Sequence, residues 1–236
     1  MTSTSKDARI AGFLYLLLAI AAPLRLMYIP STLFAHGDAT TTASNIAAHE
    51  TLFRLGIVSD LFSGIILIFL TLALYRLFKE VDQKQAVLMV ILGGVLPAAI
   101  DFLIVLNDAA ALMLVRGADF LSVFDKPQRD ALAMLFLRLQ HQGVLAAMIL
   151  WGLWLFPLGI LVYRSRFLPR FLGVWLIING CAYLAQSLTG LLLPKYEDMV
   201  GNIIFPALFG ELAFVLWLLI KGVKEQAANA PSIGSA

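Results

Sequence analysis

Long apolar stretches, broken only by short polar segments, make up most of this chain. A helix needs roughly 20 mostly apolar residues to cross a bilayer core of about 30 Å, and six stretches meet that length. They are continuously apolar and lack the alternation that a membrane-spanning strand shows, so helices are predicted rather than a barrel. The predicted spans are 10–28, 52–78, 85–115, 131–163, 171–193 and 200–220.

The composition supports a membrane protein with almost no soluble part. Of the 236 residues, 61% are hydrophobic and 14% are charged, with a mean hydropathy of +0.89, which is far more apolar than an ordinary water-soluble domain. We therefore predict an all-α integral membrane helical bundle with about six transmembrane helices. It comprises a cytoplasmic N-terminal segment (1–9), a single transmembrane domain (10–222) and a disordered cytoplasmic tail (223–236).

The lysine and arginine residues predict the orientation of the bundle. Cytoplasmic loops carry an excess of these residues. Ten of them lie on the side where the chain begins and ends, and four lie on the opposite side, so both termini are predicted to be cytoplasmic. The ten inner residues are Lys6, Arg9, Arg76, Lys79, Lys84, Arg164, Arg166, Arg170, Lys221 and Lys224, and the four outer residues are Arg116, Lys126, Arg129 and Lys195.

The first span has a second interpretation. Lys6 and Arg9 precede an apolar run that ends in Ala-Ile-Ala-Ala-Pro, which is also typical of a secretory signal peptide. The apolar run continues through Leu26 and Met27, and this continuation favours a retained transmembrane helix. Cleavage would leave the orientation of the other five spans unchanged.

Loop and proline patterns predict where helices start and bend. The outer loop 29–51 contains Gly-Asp-Ala-Thr-Thr-Thr-Ala-Ser, which offers several helix N-caps, so a short surface helix is predicted at 45–53. The fourth apolar segment, 130–163, is too long for one perpendicular span and is expected to tilt or protrude. Prolines inside spans remove backbone donors, so kinks are expected there. These prolines are Pro23, Pro97, Pro157 and Pro206.

Polar and ionisable side chains inside the spans are the main functional candidates, because such groups are costly at membrane depth and usually face the bundle interior or a wet cavity. We estimate depth by counting 1.5 Å per residue from the inner end of each span. On this count, four spans each place one polar or ionisable residue about 22 Å from the inner face. The four residues are Arg25, Asp60, Asp101 and Gln186. The count predicts that they share one layer in the outer third of the core.

Arg25 is the expected counter-charge of Asp60, of Asp101, or of both, because a buried carboxylate without a partner is strongly disfavoured or becomes neutral. Two interpretations of this layer stay open at the level of sequence. It is either a buried ion-pair network that fixes the helix register and binds nothing, or the polar floor of a pocket open to the outside. In the second case one carboxylate titrates or contacts a ligand.

Further charged residues extend this layer toward the outer surface. Asp101 and Asp108 are seven residues apart on one face of span three, and Arg138 and His141 share one face of span four. Together with Arg54 they are predicted to line a charged vestibule, whereas simple solvation near the interface is the alternative for Arg54, Asp108 and Arg138. The predicted ligand-binding set is Arg25, Asp60, Asp101, Asp108, Arg138, His141 and Gln186.

A second set of polar residues lies in the inner half of the predicted bundle. Span five carries Asn179, Tyr183, Gln186 and Gly190 along one stripe, with spacings of four, three and four. Glu211 of span six lies about 13 Å from the inner end, near the depth of Asn179. Asn179 is therefore the predicted partner of Glu211, and a role for Glu211 as a proton-relay acid is the alternative.

Motifs of the common enzyme and cofactor classes do not occur in the sequence. It contains no HExxH, CxxC, Gly-x-Ser-x-Gly, P-loop or dinucleotide-binding glycine pattern, so no catalytic residue, metal site or cofactor is predicted. His36 and His49 are interpreted as solvated loop residues. The lone Cys181 excludes an internal disulfide.

The net charge of +2 and the lack of a basic tract argue against a nucleic-acid partner. The predicted partners are the lipid bilayer and a small-molecule or ion ligand, and protein partners stay unknown.

Several stretches form a recognisable combination. They are ARIAG at 8–12, ASNIAAHETLFRLGIVSD at 43–60, LYRLFK at 74–79, and YRSRFLPRFLG at 163–173, which is followed by Asn179, Gly180 and Tyr183. In this combination the chain resembles the bacterial membrane family catalogued as domain of unknown function 4386, from about residue 8 to residue 222. The resemblance implies a small multi-pass protein of a bacterial inner membrane, and it implies no established activity.

The intramembrane charges support three functional hypotheses. The first is a non-enzymatic membrane protein whose outward-facing pocket around Arg25, Asp60 and Asp101 binds a small ligand or ion for transport or sensing. The second is a membrane-embedded enzyme acting on a lipid or quinone, which requires Asp101, Asp108 and His141 to converge. The third is a structural or assembly partner without a ligand. The lack of a catalytic motif favours a protein that is not an enzyme.

Overall fold

The computed structural model of the protein describes residues 3–223, and all regular elements within that range are helical. Six helical stretches are long and apolar enough to cross a membrane, which confirms the predicted all-α bundle. We call the end at which span one begins and span six ends the inner end. The predicted tail 223–236 lies outside the described residues except for Val223. The spans are one (Ser5–Leu33), two (Glu50–Phe78), three (Gln83–Arg116), four (Lys126–Arg164), five (Arg170–Leu192) and six (Pro194–Lys221).

Four of the six spans contain an interruption of the α-helix. Spans one, three, four and six are interrupted, whereas spans two and five are each a single helix. The α-helices are α1 (Ser3–Pro23), α2 (Ile29–Leu33), α3 (Ala39–Ala48), α4 (Glu50–Phe78), α5 (Gln83–Val90), α6 (Leu96–Arg116), α7 (Lys126–Leu153), α8 (Leu155–Arg164), α9 (Arg170–Leu192), α10 (Glu197–Ile204) and α11 (Phe209–Leu216). The π-helical turns are Leu24–Tyr28, Ile91–Val95 and Trp217–Lys221, and the 3-10 turns are Asp119–Leu121, Pro194–Tyr196 and Phe205–Leu208.

The prolines predicted to kink the spans lie at these interruptions. Pro23 ends α1 directly before a π-helical turn, and Pro97 lies in the first turn of α6 directly after another. Pro157 lies in the first turn of α8, after a break at Trp154, and Pro206 lies in a 3-10 turn. Because proline lacks a backbone N–H, the helical hydrogen-bond pattern changes at each site. The long fourth segment is therefore two successive helices.

The outer loop contains the expected short helix, but this helix begins earlier than predicted. Helix α3 starts at Ala39 rather than near residue 45, because the side chain of Asp38 accepts a hydrogen bond of 2.9 Å from the backbone N–H of Thr41. Asp38 is thus the N-cap of α3. The helix ends at Ala48, and His49 separates it from α4.

Spans four and five pack through two pairs of glycines. Gly152 faces Gly180, and Gly159 faces Gly173. A Cβ added at any of the four would lie 2.5–2.8 Å from the carbonyl oxygen of the facing glycine, so no larger residue fits without movement of the backbone. Small residues let helix backbones approach closely in membranes. We call these four residues the glycine seam.

Two buried apolar clusters form the core, one in each half of the bundle. The inner cluster includes Leu74 and Leu158, and the outer cluster includes Ile29 and Phe53. Many large apolar side chains on the spans are instead exposed, as expected for a protein whose surrounding solvent is lipid. Examples are Phe13, Ile20, Phe62, Phe69, Leu103, Leu106, Ile203 and Ile220.

Candidate functional site

The predicted ion pair between Arg25 and Asp60 is present, and Arg25 also binds a second carboxylate. Its Nε donates to Asp60 Oδ2 at 2.6 Å, and its Nη2 donates to Asp108 Oδ2. One guanidinium therefore joins span one to spans two and three through charge-assisted hydrogen bonds. We call Arg25, Asp60 and Asp108, together with Asp101, the outer charge cluster.

The charged side chains of this cluster are largely withdrawn from the surface. The exposed fraction of the side chain is 5% for Arg25, 1% for Asp108 and 21% for Asp60. Oδ1 of Asp108 is buried and has no hydrogen-bond partner among the described residues. Simple solvation near the interface, the alternative raised for Asp108, is therefore wrong.

Local backbone features bring Arg25 to its partners. Arg25 lies within the π-helical turn Leu24–Tyr28. On the facing helix α4, a Cβ added at Gly56 would lie 2.6 Å from Ile29 Cδ1 and 3.7 Å from Arg25 Cδ. Gly56 is one helical turn from Asp60 on the same face. The absence of a side chain at this position leaves room for Ile29 and lets span one pack closely on α4 beside Arg25.

Asp101 belongs to the cluster but does not pair with Arg25. Its side chain is half-buried, it makes no hydrogen bond or ion pair with any described residue, and its electrostatic neighbour is Asp60. The packing of α4 on α6 explains this proximity, because a Cβ at Gly64 would lie 3.7 Å from atoms of both Ala98 and Phe102. Gly64 is one turn from Asp60, and Ala98 and Phe102 flank Asp101.

The expectation that Asp101 pairs with Arg25 is wrong, because the guanidinium bonds instead to Asp60 and, on span three, to Asp108. Span three is also not a uniform α-helix. Its π-helical turn, Ile91–Val95, holds more residues per turn than an α-helix. Residues beyond that turn lie nearer the inner end than a count of 1.5 Å per residue predicts. One such turn changes the depth by about one residue, roughly 1.5 Å, whereas Asp108 lies about 10 Å beyond Asp101 on the same face. The turn alone therefore does not account for the pairing of Arg25 with Asp108.

His141 and Gln186 lie in a separate group around Glu197. His141 Nε2 is 3.0 Å from Glu197 Oε1, and Gln186 Nε2 donates to the backbone carbonyl of Glu197 at 3.4 Å. The group joins spans four, five and six, and the structure records no contact of Gln186 with Arg25. Glu197 was missed because an acid in the short polar segment Lys-Tyr-Glu-Asp resembles any solvated residue.

The remaining charges of the predicted vestibule do not join either group. Arg138 is exposed on α7 and forms no ion pair with a described residue. Arg54 pairs with Glu50 at 2.6 Å, and Arg116 approaches the same carboxylate oxygen at 3.7 Å. The predicted ligand-binding residues are thus distributed over two groups and one exposed side chain.

The residues named for a membrane-embedded enzyme are not brought together. Asp108 binds Arg25 and His141 contacts Glu197, and no contact between Asp101 and His141 is recorded. Within residues 3–223, no three side chains of His, Cys, Asp or Glu assemble in an arrangement that suits a metal ion. The geometry therefore contains no convergent acid–base constellation in the described part of the chain.

The inner half contains a second polar group, centred on Glu211. Asn179 Nδ2 donates to Glu211 Oε2 at 2.8 Å, which confirms the predicted contact, and the hydroxyl of Tyr183 donates to the same oxygen at 2.9 Å. The hydroxyl of Tyr15 donates to Oε1. Tyr15 was missed because a tyrosine in an apolar span gives no sign of which way its hydroxyl points. We call these four residues the inner carboxyl site.

Comparisons with known proteins identify a family and name no activity. An uncharacterized protein of Archaeoglobus fulgidus is 40% identical over 76 residues, which are 32% of this chain and 44% of that relative. The match therefore spans less than half the length of the relative. No solved structure matches the chain. The profile of one family matches residues 10–222, nearly the whole of the six-span bundle. The chain is thus a multi-pass membrane protein that belongs to the family described as Domain of unknown function (DUF4386).

Proposed function

We propose that the protein binds a proton at the outer charge cluster, and that this binding serves transport or sensing. The observation that carries the proposal is an imbalance of charge. Three carboxyl groups, those of Asp60, Asp101 and Asp108, share the single guanidinium of Arg25. Arg25 compensates one of the three negative charges that the cluster carries when fully ionised.

Excess negative charge at membrane depth is costly, and a bound proton or cation removes it. An anionic ligand would instead increase the imbalance. The unused ligand atoms are Oδ1 of Asp108, which has no partner, and both carboxyl oxygens of Asp101. The chemistry of the cluster therefore suits a positively charged ligand.

The outer charge cluster contains one almost completely buried pair of residues and one partly exposed pair. Arg25 and Asp108 are almost completely buried and bonded to each other, whereas Asp60 and Asp101 are partly exposed. Two carboxyl groups that interact at one site do not readily carry full negative charge together. We therefore assign ligand exchange to Asp60 and Asp101, with Arg25 and Asp108 as the buried support.

We also propose that the protein resides in a bacterial inner membrane with both termini in the cytoplasm. The orientation is supported by the ten-to-four distribution of lysine and arginine between the two sides of the bundle. In this orientation the outer charge cluster lies in the half of the membrane that faces away from the cytoplasm.

Infrared difference spectroscopy tests the proposed binding directly, because it separates protonated from ionised carboxyl groups. Spectra are recorded from the purified chain in nanodiscs while the pH is changed. We expect a carboxyl signal that Asp101→Asn lacks. The matched control is Asp198→Asn, which removes an exposed acid on the outer side and is expected to keep the signal.

Spectra of Asp101→Asn that equal those of the unchanged chain contradict the proposal and leave the cluster as a scaffold that fixes helix register. If the signal is present, the same variants in liposomes separate transport from sensing. A transporter moves protons across the bilayer at a rate that Asp101→Asn reduces, whereas a sensor binds the proton without net flux.

A further inference from the structure

The inner carboxyl site is a polar centre that shares no residue with the outer charge cluster. Its carboxylate, on span six, accepts hydrogen bonds from Tyr15 of span one and from Asn179 and Tyr183 of span five. Three donors on two oxygens are a favourable environment for an ionised carboxyl group. The site is therefore constructed for one particular acid, Glu211.

No cation balances this carboxylate in the described part of the chain. The structure records no contact of Glu211 with a lysine, arginine or histidine side chain, and the titratable groups that face it are Tyr15 and Tyr183. Both are ordinarily neutral at neutral pH. The surroundings are aromatic, because the ring of Tyr15 packs on Trp154 and that of Tyr183 packs on Trp151. An ionised Glu211 is thus one uncompensated charge at membrane depth.

The same site also holds an unused acceptor. Asn179 is fully buried, and its Oδ1 has no hydrogen-bond partner among the described residues, although its Nδ2 contacts Glu211. A buried acceptor without a partner is unfavourable, and a protonated carboxyl group has one O–H to donate. The amide of Asn179 therefore offers a donor to the ionised acid and an acceptor to the protonated acid.

We propose that Glu211 is a proton-binding site in the inner half of the membrane, in which Asn179 stabilises both protonation states of the carboxyl group. Uptake forms one O–H bond on a carboxylate oxygen and breaks one O–H bond of a hydronium ion at the inner end of the bundle, which leaves a water molecule. The protonated group donates to Oδ1 of Asn179 after rotation of the amide, and Tyr15 and Tyr183 keep their positions beside it. Release reverses these steps.

This inference goes beyond the proposed function, because it assigns a second site with different residues. Span one is the element that the two sites share. Tyr15 and Arg25 are ten residues apart on it, which corresponds to about 15 Å along a helix axis. Protonation at one level and cation binding at the other therefore act on the same helix.

Infrared spectra of the full chain in nanodiscs, titrated from about pH 4 to about pH 9, test the proposal. We expect a titrating carboxyl band that is lost in Glu211→Gln and kept in Asp60→Asn and Asp101→Asn. Glutamine is expected to fold, because its amide donates to Oδ1 of Asn179 as the protonated acid does. Glu80→Gln, which removes an exposed acid at the inner end, is the matched control and is expected to keep the band.

Two further variants keep the acid and change only its partners. Tyr183→Phe removes one donor and Asn179→Leu removes the acceptor, and each is expected to shift the frequency of the Glu211 band. A spectrum of Glu211→Gln that matches that of the unchanged chain overturns the proposal. A band that responds to sodium at constant pH and not to pH overturns it as well, because the site then binds a metal cation. Loss of the Asp101 signal with retention of the Glu211 band, or the reverse, separates the two sites.

Discussion

At the scale of the residue, the two polar centres are stabilised in different ways. Arg25 lies between two carboxylates, so its contacts depend on full charges. Glu211 is surrounded by hydroxyl and amide groups, so its hydrogen bonds come from uncharged donors. Removal of a partner therefore has a larger effect in the first centre than in the second.

Replacement of Arg25 by alanine is expected to destabilise the protein far more than replacement of Arg54. The first change leaves Asp60 and Asp108 without a counter-charge, and loss of one partner of a buried ion pair costs about 3–5 kcal/mol. The exposed pair of Arg54 with Glu50 contributes roughly 0–1 kcal/mol. Thermal unfolding of both variants in nanodiscs measures the difference.

Equal melting temperatures for the two arginine variants would show that the buried pair is not a determinant of stability. A triple variant, Arg25→Met with Asp60→Asn and Asp108→Asn, serves as the control. It is expected to recover much of the lost stability, because no unpaired charge then stays buried.

At the scale of the element, the glycine seam brings two helices into backbone contact. The seven-residue spacing from Gly152 to Gly159 equals that from Gly173 to Gly180, so the two pairs lie in register on antiparallel helices. Helix association in lipid depends on such close packing because lipid tails are as apolar as the side chains. Spans four and five therefore form a closely packed unit.

Gly173→Ala is expected to destabilise this unit, whereas Gly64→Ala is not. A Cβ at Gly173 lies 2.5 Å from the carbonyl oxygen of Gly159, and overpacking of this kind costs about 1–3 kcal/mol. A Cβ at Gly64 meets its nearest atom at 3.7 Å, which is ordinary contact, and alanine favours the helix by roughly 1 kcal/mol. Melting temperatures of the two variants check the order, and a reversed order refutes the close approach at the seam.

The elements were largely predictable from the sequence, and the interruptions within them were only partly so. Apolar runs and prolines identify the six spans and the places where they break. The width of a π-helical turn leaves no pattern in the sequence, so the turn at Ile91–Val95 was not predicted. The pairing of Arg25 with Asp60 was predictable because charges in apolar spans need partners, and the role of Asp108 was not.

At the scale of the whole molecule, the orientation in the membrane rests on the distribution of lysine and arginine. The helices fix which loops lie together on one side, and the charge bias predicts which side is cytoplasmic. The inner carboxyl site and the outer charge cluster then lie at different depths. Access to each from its own side of the membrane depends on this orientation.

Labelling of single cysteines in intact cells is expected to confirm this orientation. With the native thiol removed by Cys181→Ala, Ser44→Cys in α3 reacts with a membrane-impermeant maleimide, because this exposed residue lies in an outer loop. Glu80→Cys, exposed at the inner end, reacts only after the cells are opened. The opposite pattern would show that the termini face outward.

Span one packs on α4 but has a largely exposed apolar surface, and its Tyr15 and Arg25 make polar contacts with other spans. Only 22% of its most apolar stretch is buried, against 50% in span four. The polar contacts of Tyr15 and Arg25 are stronger where water is excluded and weaker where water enters. During purification, a detergent whose small micelle admits water beside this helix is therefore expected to loosen both sets of contacts together. The choice of detergent then decides whether the purified protein retains either polar site.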